Sequence, residues 1–266
     1  MPRLLRTEQE QSLTETRGPE YLEILARGLR VVTAFDADRK EMTLSEVASV
    51  AGLTRATARR ALFTLESLGY VESDGRQFRL TARILNLATA YLSSNGIPAA
   101  AQPVVERVSR TIAETCSVGV LDQRDVVFVA RASPRRIVSV DLAIGYRLPA
   151  HATSVGRALL SGLDGEALDA YLATVEMTKL TPRTVADTSV LRAAIITARE
   201  QGYCIVDEEA ELGLRSAAVP VRRYDGAVPC AIQVGVRTEL VSIGRIHDEI
   251  LPVLREAAAE LGRALV

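Results

Sequence analysis

A chain of 266 residues is long enough for one large domain or two ordinary ones. Its 48% hydrophobic and 24% charged residues are the balance of a soluble globular protein, and a net charge of −1 excludes a histone-like mass binder of nucleic acid. Three cysteines, Cys116, Cys204 and Cys230, are too few and too widely spaced for a disulfide framework or a zinc cluster, so they are expected reduced and buried, with no metal and no cofactor. No segment approaches ~18 uninterrupted apolar residues and the N-terminus has no apolar leader, which points to a cytoplasmic protein without a membrane span.

Residues 1–19 alternate Glu, Gln, Arg and Thr and end at Gly18-Pro19; with little apolar surface to bury, they are expected to form a flexible tail. Charge then divides unevenly. Residues 21–92 hold 10 Lys+Arg against 8 Asp+Glu, whereas residues 93–266 hold 19 against 21. The excess of positive charge falls in the front half, where a nucleic-acid contact would want it.

From Tyr21 to Phe35, Leu22, Leu25, Leu29 and Val32 recur at helical spacing and predict a first helix that packs across its neighbours. Thr43-Leu44-Ser45-Glu46 reads as a capping box, and Leu44, Val47, Ala48 and Ala51 fall on one helical face behind it. Gly52 permits the left-handed conformation that ends that helix. Thr54 can cap the next, whose apolar stripe is Ala58, Ala61, Leu62, Leu65 and Leu68. At about 100° per residue, Arg59 and Arg60 point away from that stripe and Arg55 lies at its leading edge. Asp74-Gly75 is a two-residue hairpin signal of type I′. Phe78 and Leu80 then alternate with Gln77 and Arg79, as in a ribbon with one packed face.

A capped helix, a Gly corner, a second helix with outward arginines and a β-ribbon make a winged helix-turn-helix over residues 20–80, and its second helix would enter the major groove of double-stranded operator DNA. Arg59 and Arg60 are expected on bases or phosphates, and Arg55, Thr54 and Thr57 on phosphates. Arg76, Gln77 and Arg79 of the wing would brace the flanking backbone or minor groove. Thr43, at the head of the motif, is grouped with these DNA-facing residues. The bland alternative is a solvated helix and hairpin that happen to carry arginine.

Residues 81–97 read as a linker helix, with Ile84, Leu85, Ala88, Tyr91 and Leu92 on one side, closed by Ser93-Ser94-Asn95-Gly96 and Pro98. Residues 98–266 form the second domain. It opens with a helix marked by Val104, Val105, Val108 and Ile112, followed by strands near 117–122, 126–132 and 137–143. Residues 145–154 read as a loop feeding a helix from Ser154 to Ser161. Helices near 165–174 and 188–201 precede strands near 203–206, 216–222 and 228–236, and a long helix closes the chain. Sequential short strands with flanking helices fit an α+β antiparallel sheet, not a doubly wound parallel one.

Polar groups gather in two stretches of this domain. Residues 145–154 offer Arg147, His151, Thr153 and Ser154; residues 207–216 offer Asp207, Glu209, Arg215 and Ser216, and Arg131 joins them if it faces inward. A loop ending at a helix start can present N–H groups to an anion, and arginine matches a carboxylate. Each of these residues could equally be structural: the acids a solvated turn, the arginines their partners, His151 a satisfied core residue.

The order of motifs resembles the IclR family of bacterial transcriptional regulators over residues 21–264. Gly145-x-x-x-Pro149-x-His151-x-x-x-x-Gly156-x-Ala158 and Gly202-Tyr203-x-x-x-Asp207-x-Glu209-x-x-x-Gly213-Leu214-Arg215-Ser216 are similar to its two effector-domain signatures. Residues 53–60, 91–94 and 180–184 look most like the branch that regulates the β-ketoadipate pathway in response to protocatechuate or 4-hydroxybenzoate. The resemblance implies a GAF-like effector domain that holds a small carboxylate, possession of Asp207 or Glu209 as the motif acid, and a homodimer or dimer of dimers. Ser216 stands where many members carry cysteine. A non-aromatic carboxylate such as a keto acid is the alternative effector. Two readings from other classes are an enzyme acting on a small acid through His151 and Ser154 or a cysteine, and a winged module that binds protein. The first lacks a nucleophile elbow, metal spacing or a phosphate loop, and the outward arginines oppose the second.

Overall fold

The computed structural model describes residues 20–94, 96–134 and 144–265. The expected tail and the expected strand at 137–143 lie outside the described residues. The chain divides between Tyr91 and Leu92 into two compact units.

The first unit runs α1 (Glu23–Val32), β1 (Met42–Thr43), α2 (Leu44–Val50), α3 (Arg55–Ser67), β2 (Val71–Ser73) and β3 (Gln77–Leu80), its strands ordered β1-β3-β2 and antiparallel. The capping box forms as read: Thr43 N–H donates to Glu46 Oε2 at 2.7 Å and Glu46 N–H to Thr43 Oγ1 at 3.4 Å. Gly52 takes φ +61°, which turns the chain between α2 and α3. Val31, Ala34, Met42, Val47, Ala51, Leu62 and Val71 form the core.

Two expectations need correction here. The Leu22, Leu25 and Leu29 stripe is not the packing face of α1; these residues are 53–64% exposed, while Val31 is fully buried. Helical periodicity locates an apolar face but not what covers it, and α1 is rotated so that Ala26, Arg27 and Val31 turn inward. The wing turn is not type I′, because Gly75 has a positive φ (+93°) and Asp74 does not. Instead the Asp74 carboxylate accepts from Arg76 N–H and Gln77 N–H, both at 2.8 Å. Those bonds to the charged form hold its pKa below the ordinary carboxylate range.

A 3₁₀ turn (Ala82–Ile84) leads into α4 (Leu85–Ser94), which buries none of its residues. The second unit continues with α5 (Gly96–Ile112), β4 (Thr115–Asp122), β5 (Asp125–Ala132), β6 (Arg147–Pro149), a 3₁₀ turn (Ala150–Ala152), α6 (Ser154–Leu160), α7 (Gly165–Thr174) and α8 (Thr188–Gln201). β7 (Cys204–Asp207), β8 (Leu214–Val221) and β9 (Cys230–Arg237) follow. The chain ends in α9 (Ile243–Arg245), a π-helical turn (Ile246–Ile250) and α10 (Leu251–Ala264). The segment read as a loop at 145–154 therefore holds a short edge strand.

Among the described residues six antiparallel strands lie in the order β6-β5-β4-β9-β8-β7. Apolar alternation gives this sheet two buried faces. On one, Cys116, Val118, Ala217, Ile232 and Val234 pack with Val105 and Val108 of α5 and Leu254 and Leu261 of α10. On the other, Val126, Phe128, Ala218 and Ala231 pack with Val155 and Leu159 of α6 and Leu191 and Ile195 of α8. Gly119 lets α6 approach, since a Cβ there would lie 2.5 Å from Val126 and 3.0 Å from Val155.

Candidate functional site

In the first unit, Thr54 N-caps α3: its Oγ1 accepts from Thr57 N–H at 3.3 Å and lies 2.9 Å from Thr57 Oγ1. Both hydroxyls are thus partly engaged within the helix start, and Thr43 is likewise held by its capping box. Arg55, Arg59 and Arg60 project from α3 into solvent with no ion pair to an acid among the described residues, and Arg76 does the same from the wing. Gln77 is half-buried in β3. Arg79 differs: its guanidinium donates to Glu72 at 2.7 Å and to Glu41 at 3.2 Å, so its charge is already matched. The arrangement presents three guanidinium groups along one exposed helix, a surface suited to phosphate and base edges.

In the second unit a cavity of about 150 Å³ opens on the α6 side of the sheet, next to the start of that helix. Its floor follows from strand register. Ser117 of β4 stands opposite Arg131 of β5 on one side and Gln233 of β9 on the other; one step along, Thr115 faces Gly235, which faces Ser216 of β8. Directly paired residues share a face. Leu148 and Thr153 form one wall, and Leu212, Gly213 and Leu214 of the β7–β8 connection form another. Gly235 leaves a gap in the second row, where a Cβ would meet only Leu214 at 3.8 Å.

The nine residues expected to contact a ligand separate into two groups. Arg131, Thr153 and Ser216 line the cavity, and Ser154 reaches its edge by donating to Gln233 Oε1 at 3.3 Å. The other five do not line it. Arg147 is held by Asp122 at 2.7 Å and Asp125 at 3.2 Å. Arg215 forks onto Asp207 at 2.8 and 2.9 Å and also donates to the Val241 carbonyl. Glu209 is buried against Arg157. His151 is 1% exposed, with Nε2 donating to the Thr178 carbonyl at 3.0 Å; burial holds its pKa below the ordinary value. These charged groups are matched by one another, some across long sequence separations such as Arg157–Glu209, and a sequence stretch does not show that its charges are already paired.

Residues that sequence reading missed carry part of the floor: Thr115, Gln233 and Gly235 line the cavity, and Ser117 lies buried between Arg131 and Gln233 without lining it. Ser117 is 1% exposed and its Oγ has no hydrogen-bond partner, a state that costs about 1–3 kcal/mol in a protein interior. Gln233, Gly235 and Thr115 complete the rows. A period-two signal marks them: Thr115, Ser117 and Gly119 alternate with Cys116, Val118 and Val120, and Gln233 and Gly235 alternate with Ile232, Val234 and Val236. Such alternation usually means a solvated face, yet here Ser117 and Gly119 are buried and Thr115, Gln233 and Gly235 are only half-exposed. The three cysteines are free and buried, with thiol pKa values pushed up to about 12 by burial, so they are inert packing. Among the described residues no group of His, Cys, Asp or Glu could hold a metal ion, and no helix is long and apolar enough to cross a membrane.

Comparison with known proteins adds to this geometry. The profile of the IclR helix-turn-helix domain matches residues 24–75, and that of the bacterial transcriptional regulator IclR C-terminal domain matches residues 89–263. The chain is 39% identical to the Pca regulon regulatory protein of Pseudomonas putida over 247 residues, 92% of this chain and 85% of that one. It is 37% identical to the p-hydroxybenzoate hydroxylase transcriptional activator of Acinetobacter baylyi over 255 residues, 94% of each chain. A crystal structure of an IclR homolog complexed with 4-hydroxybenzoate, from Microbacterium hydrocarbonoxydans, superimposes with a TM-score of 0.77 at 29% identity, covering 91% of this chain and 99% of that one.

Proposed function

Since the chain belongs to the IclR family and is therefore a ligand-responsive DNA-binding transcriptional regulator, we propose that its effector is a small aromatic carboxylate, held in the cavity of the second unit, and that it controls genes of aromatic-acid catabolism. The cavity carries this reading. Its volume of about 150 Å³ suits one substituted ring, since a closed apolar cavity of roughly 150 Å³ takes up benzene. Its walls are apolar at Leu148, Leu212 and Leu214, and its floor is polar, as a site for a ring bearing an acid requires. The relatives named for the pca regulon and for p-hydroxybenzoate hydroxylase, and the homolog that holds 4-hydroxybenzoate, support the same class.

On this reading residues 20–80 bind DNA, 81–97 link, and 98–266 sense the effector. α3 lies in the major groove, with Arg59 and Arg60 on bases or phosphates and Arg55 on phosphate. A second copy covers the exposed Leu22, Ile24, Leu25 and Leu29 of α1, a contiguous apolar face that a lone winged domain would leave in water. Dimerisation then spaces two α3 helices for a pseudo-palindromic site. The effector shifts DNA affinity through a coupling free energy of about 1–3 kcal/mol. No catalysis is assigned, and a regulator of chromosomal genes works in the cytoplasm.

The test is isothermal titration of the full chain with 4-hydroxybenzoate, protocatechuate, benzoate and pyruvate, followed by operator binding with and without the acid that binds. Saturable binding of an aromatic acid that alters operator affinity is expected. Binding of pyruvate alone would replace the aromatic effector with a keto acid.

A further inference from the structure

Resting on the reading that α3 enters the major groove, we infer that Phe63 is a specificity-determining residue of that helix and that its ring reads the 5-methyl group of a thymine. Phe63 is 70% exposed in the third turn of α3, while Ala58 and Leu62 of the same helix are buried. Ala56, Arg59, Arg60 and Phe63 recur at i, i+3, i+4 and i+7. The ring therefore stands on the face that carries the two arginines, about 40° round the axis from Arg59.

A single apolar side chain in water needs no explanation by itself, so its neighbours decide. Arg59 and Arg60 lie on the N-terminal side of the ring and the exposed Glu66 on its C-terminal side. A protein surface covering Phe63 would have to strip water from these charged groups, which is costly without partners for each. Duplex DNA matches the arginines and offers an apolar group in the same groove, the thymine methyl, which phenylalanine can contact. Glu66 narrows the choice further. A carboxylate one turn past the ring repels phosphate, so this end of the face meets base edges and not the backbone. Thr64 and Ser67 turn their hydroxyls back to the Arg60 and Phe63 carbonyls at 3.0 and 2.8 Å, which leaves the ring as the group this turn presents. At about 1.5 Å of rise per residue, Phe63 lies roughly 6 Å along the axis from Arg59, close to two base steps of about 3.4 Å. The ring thus reads a position about two base pairs from the one that Arg59 addresses.

The test starts from the duplex that the full chain selects out of a random library. Each thymine is replaced in turn by deoxyuridine, which removes the methyl group alone, and affinity is read by anisotropy for wild type, Phe63→Ala and Phe63→Leu. Wild type is expected to lose roughly three- to tenfold at one thymine of a half-site, the worth of a buried methyl group or slightly more. Phe63→Ala should bind the thymine duplex more weakly by at least that factor and should no longer distinguish the two bases there. Phe63→Leu should keep part of the preference. Because the ring is exposed, the melting temperature and sedimentation of Phe63→Ala should match wild type. Wild-type indifference to every substitution, or an undiminished thymine preference in Phe63→Ala, would overturn the contact and leave operator binding by α3 standing. A Phe63→Ala chain that no longer self-associates would assign the ring to a second copy instead. Failure of wild type to select any duplex would remove the DNA reading and the contact with it. Should Phe63→Ala fail to fold, the wild-type deoxyuridine series and Phe63→Leu still decide.

Discussion

Arg157 and Glu209, 52 residues apart in sequence, form a buried two-pronged ion pair: Nη1 and Nη2 donate to Oε1 and Oε2 at 2.7 and 2.6 Å. Nothing in the pair is left unpaired. Arg157 Nε donates to the His151 carbonyl at 2.8 Å, Val185 N–H donates to Glu209 Oε2 at 2.8 Å, and the Thr184 hydroxyl donates to the Glu209 carbonyl at 2.6 Å. One carboxylate thereby ties α6, the irregular segment before α8 and the β7–β8 connection that walls the cavity. Breaking such a pair strands a buried charge, so Glu209→Ala should cost about 3–5 kcal/mol. Urea denaturation of the full chain, following the second unit, measures this. A loss below about 1 kcal/mol would mean that the segment is held some other way. Because Glu209 does not line the cavity, a variant that still folds should keep the order in which it prefers its ligands.

His151 predicts a pH dependence. Burial keeps its imidazole neutral at pH values where the unfolded chain, with an ordinary pKa of about 6.5, takes up a proton. Stability contributed by the neutral folded form is therefore present above about pH 7 and lost as pH falls through the unfolded value toward the lower folded one. Melting temperature should drop between pH 7.5 and 5.5. In His151→Asn the drop should shrink, although the starting value is lower because the Thr178 contact is altered. The carboxylates Glu46, Asp74 and Asp187 are held below their ordinary range by hydrogen bonds to their charged forms, which moves them away from this window. An equally steep drop in the variant would exclude His151 as its source.

On the DNA side, Arg59 and Arg79 should behave differently although both were expected to touch nucleic acid. Arg59 is exposed on α3 with no acidic partner among the described residues, whereas Arg79 sits between Glu72 and Glu41. Arg59→Ala should weaken operator binding by about 1–3 kcal/mol, with ligand affinity unchanged. Arg79→Ala should do much less, since the side chain must first leave two carboxylates. Anisotropy titrations over a range of salt would test both. An Arg59→Ala variant with wild-type operator affinity would remove α3 as the reading helix in this form.

The elements were readable in the residues because their signals are local. Thr43 and Glu46, the Gly52 corner and Thr54 each depend on neighbours within a few positions and formed as read; of the apolar run of α3, Ala58 and Leu62 are buried, while Leu68, at the C-cap, is 53% exposed. What failed depends on partners far along the chain. Leu22, Leu25 and Leu29 announced an apolar face, but what covers it is not written in α1. Asp207 and Glu209 lie in a family motif, yet whether an acid meets a ligand or an arginine depends on where Arg215 and Arg157 are brought by the sheet and α6. Ser117 was invisible for the opposite reason. A single serine among valines has no motif, and its place between Arg131 and Gln233 is set only by strand pairing.

Gly235 offers the sharpest test of where the ring lies. Glycine inside a strand forgoes packing and costs about 0.5–1 kcal/mol in backbone entropy, so its place in the middle of β9 calls for a reason. Close backbone packing explains Gly156, where a Cβ would fall 2.2 Å from the Ala150 carbonyl oxygen, and Gly156→Ala should destabilise the second unit. It does not explain Gly235, whose Cβ would meet nothing nearer than Leu214 at 3.8 Å and whose backbone is not left-handed. The empty space above Gly235 belongs to the cavity. Gly235→Val should therefore keep or raise the melting temperature, since β-branched residues favour strands. It should also cut affinity for 4-hydroxybenzoate by at least about tenfold, because the new methyl groups occupy the space a ring needs. If the variant melts lower and binds as well as wild type, Gly235 serves the sheet and the ring lies elsewhere.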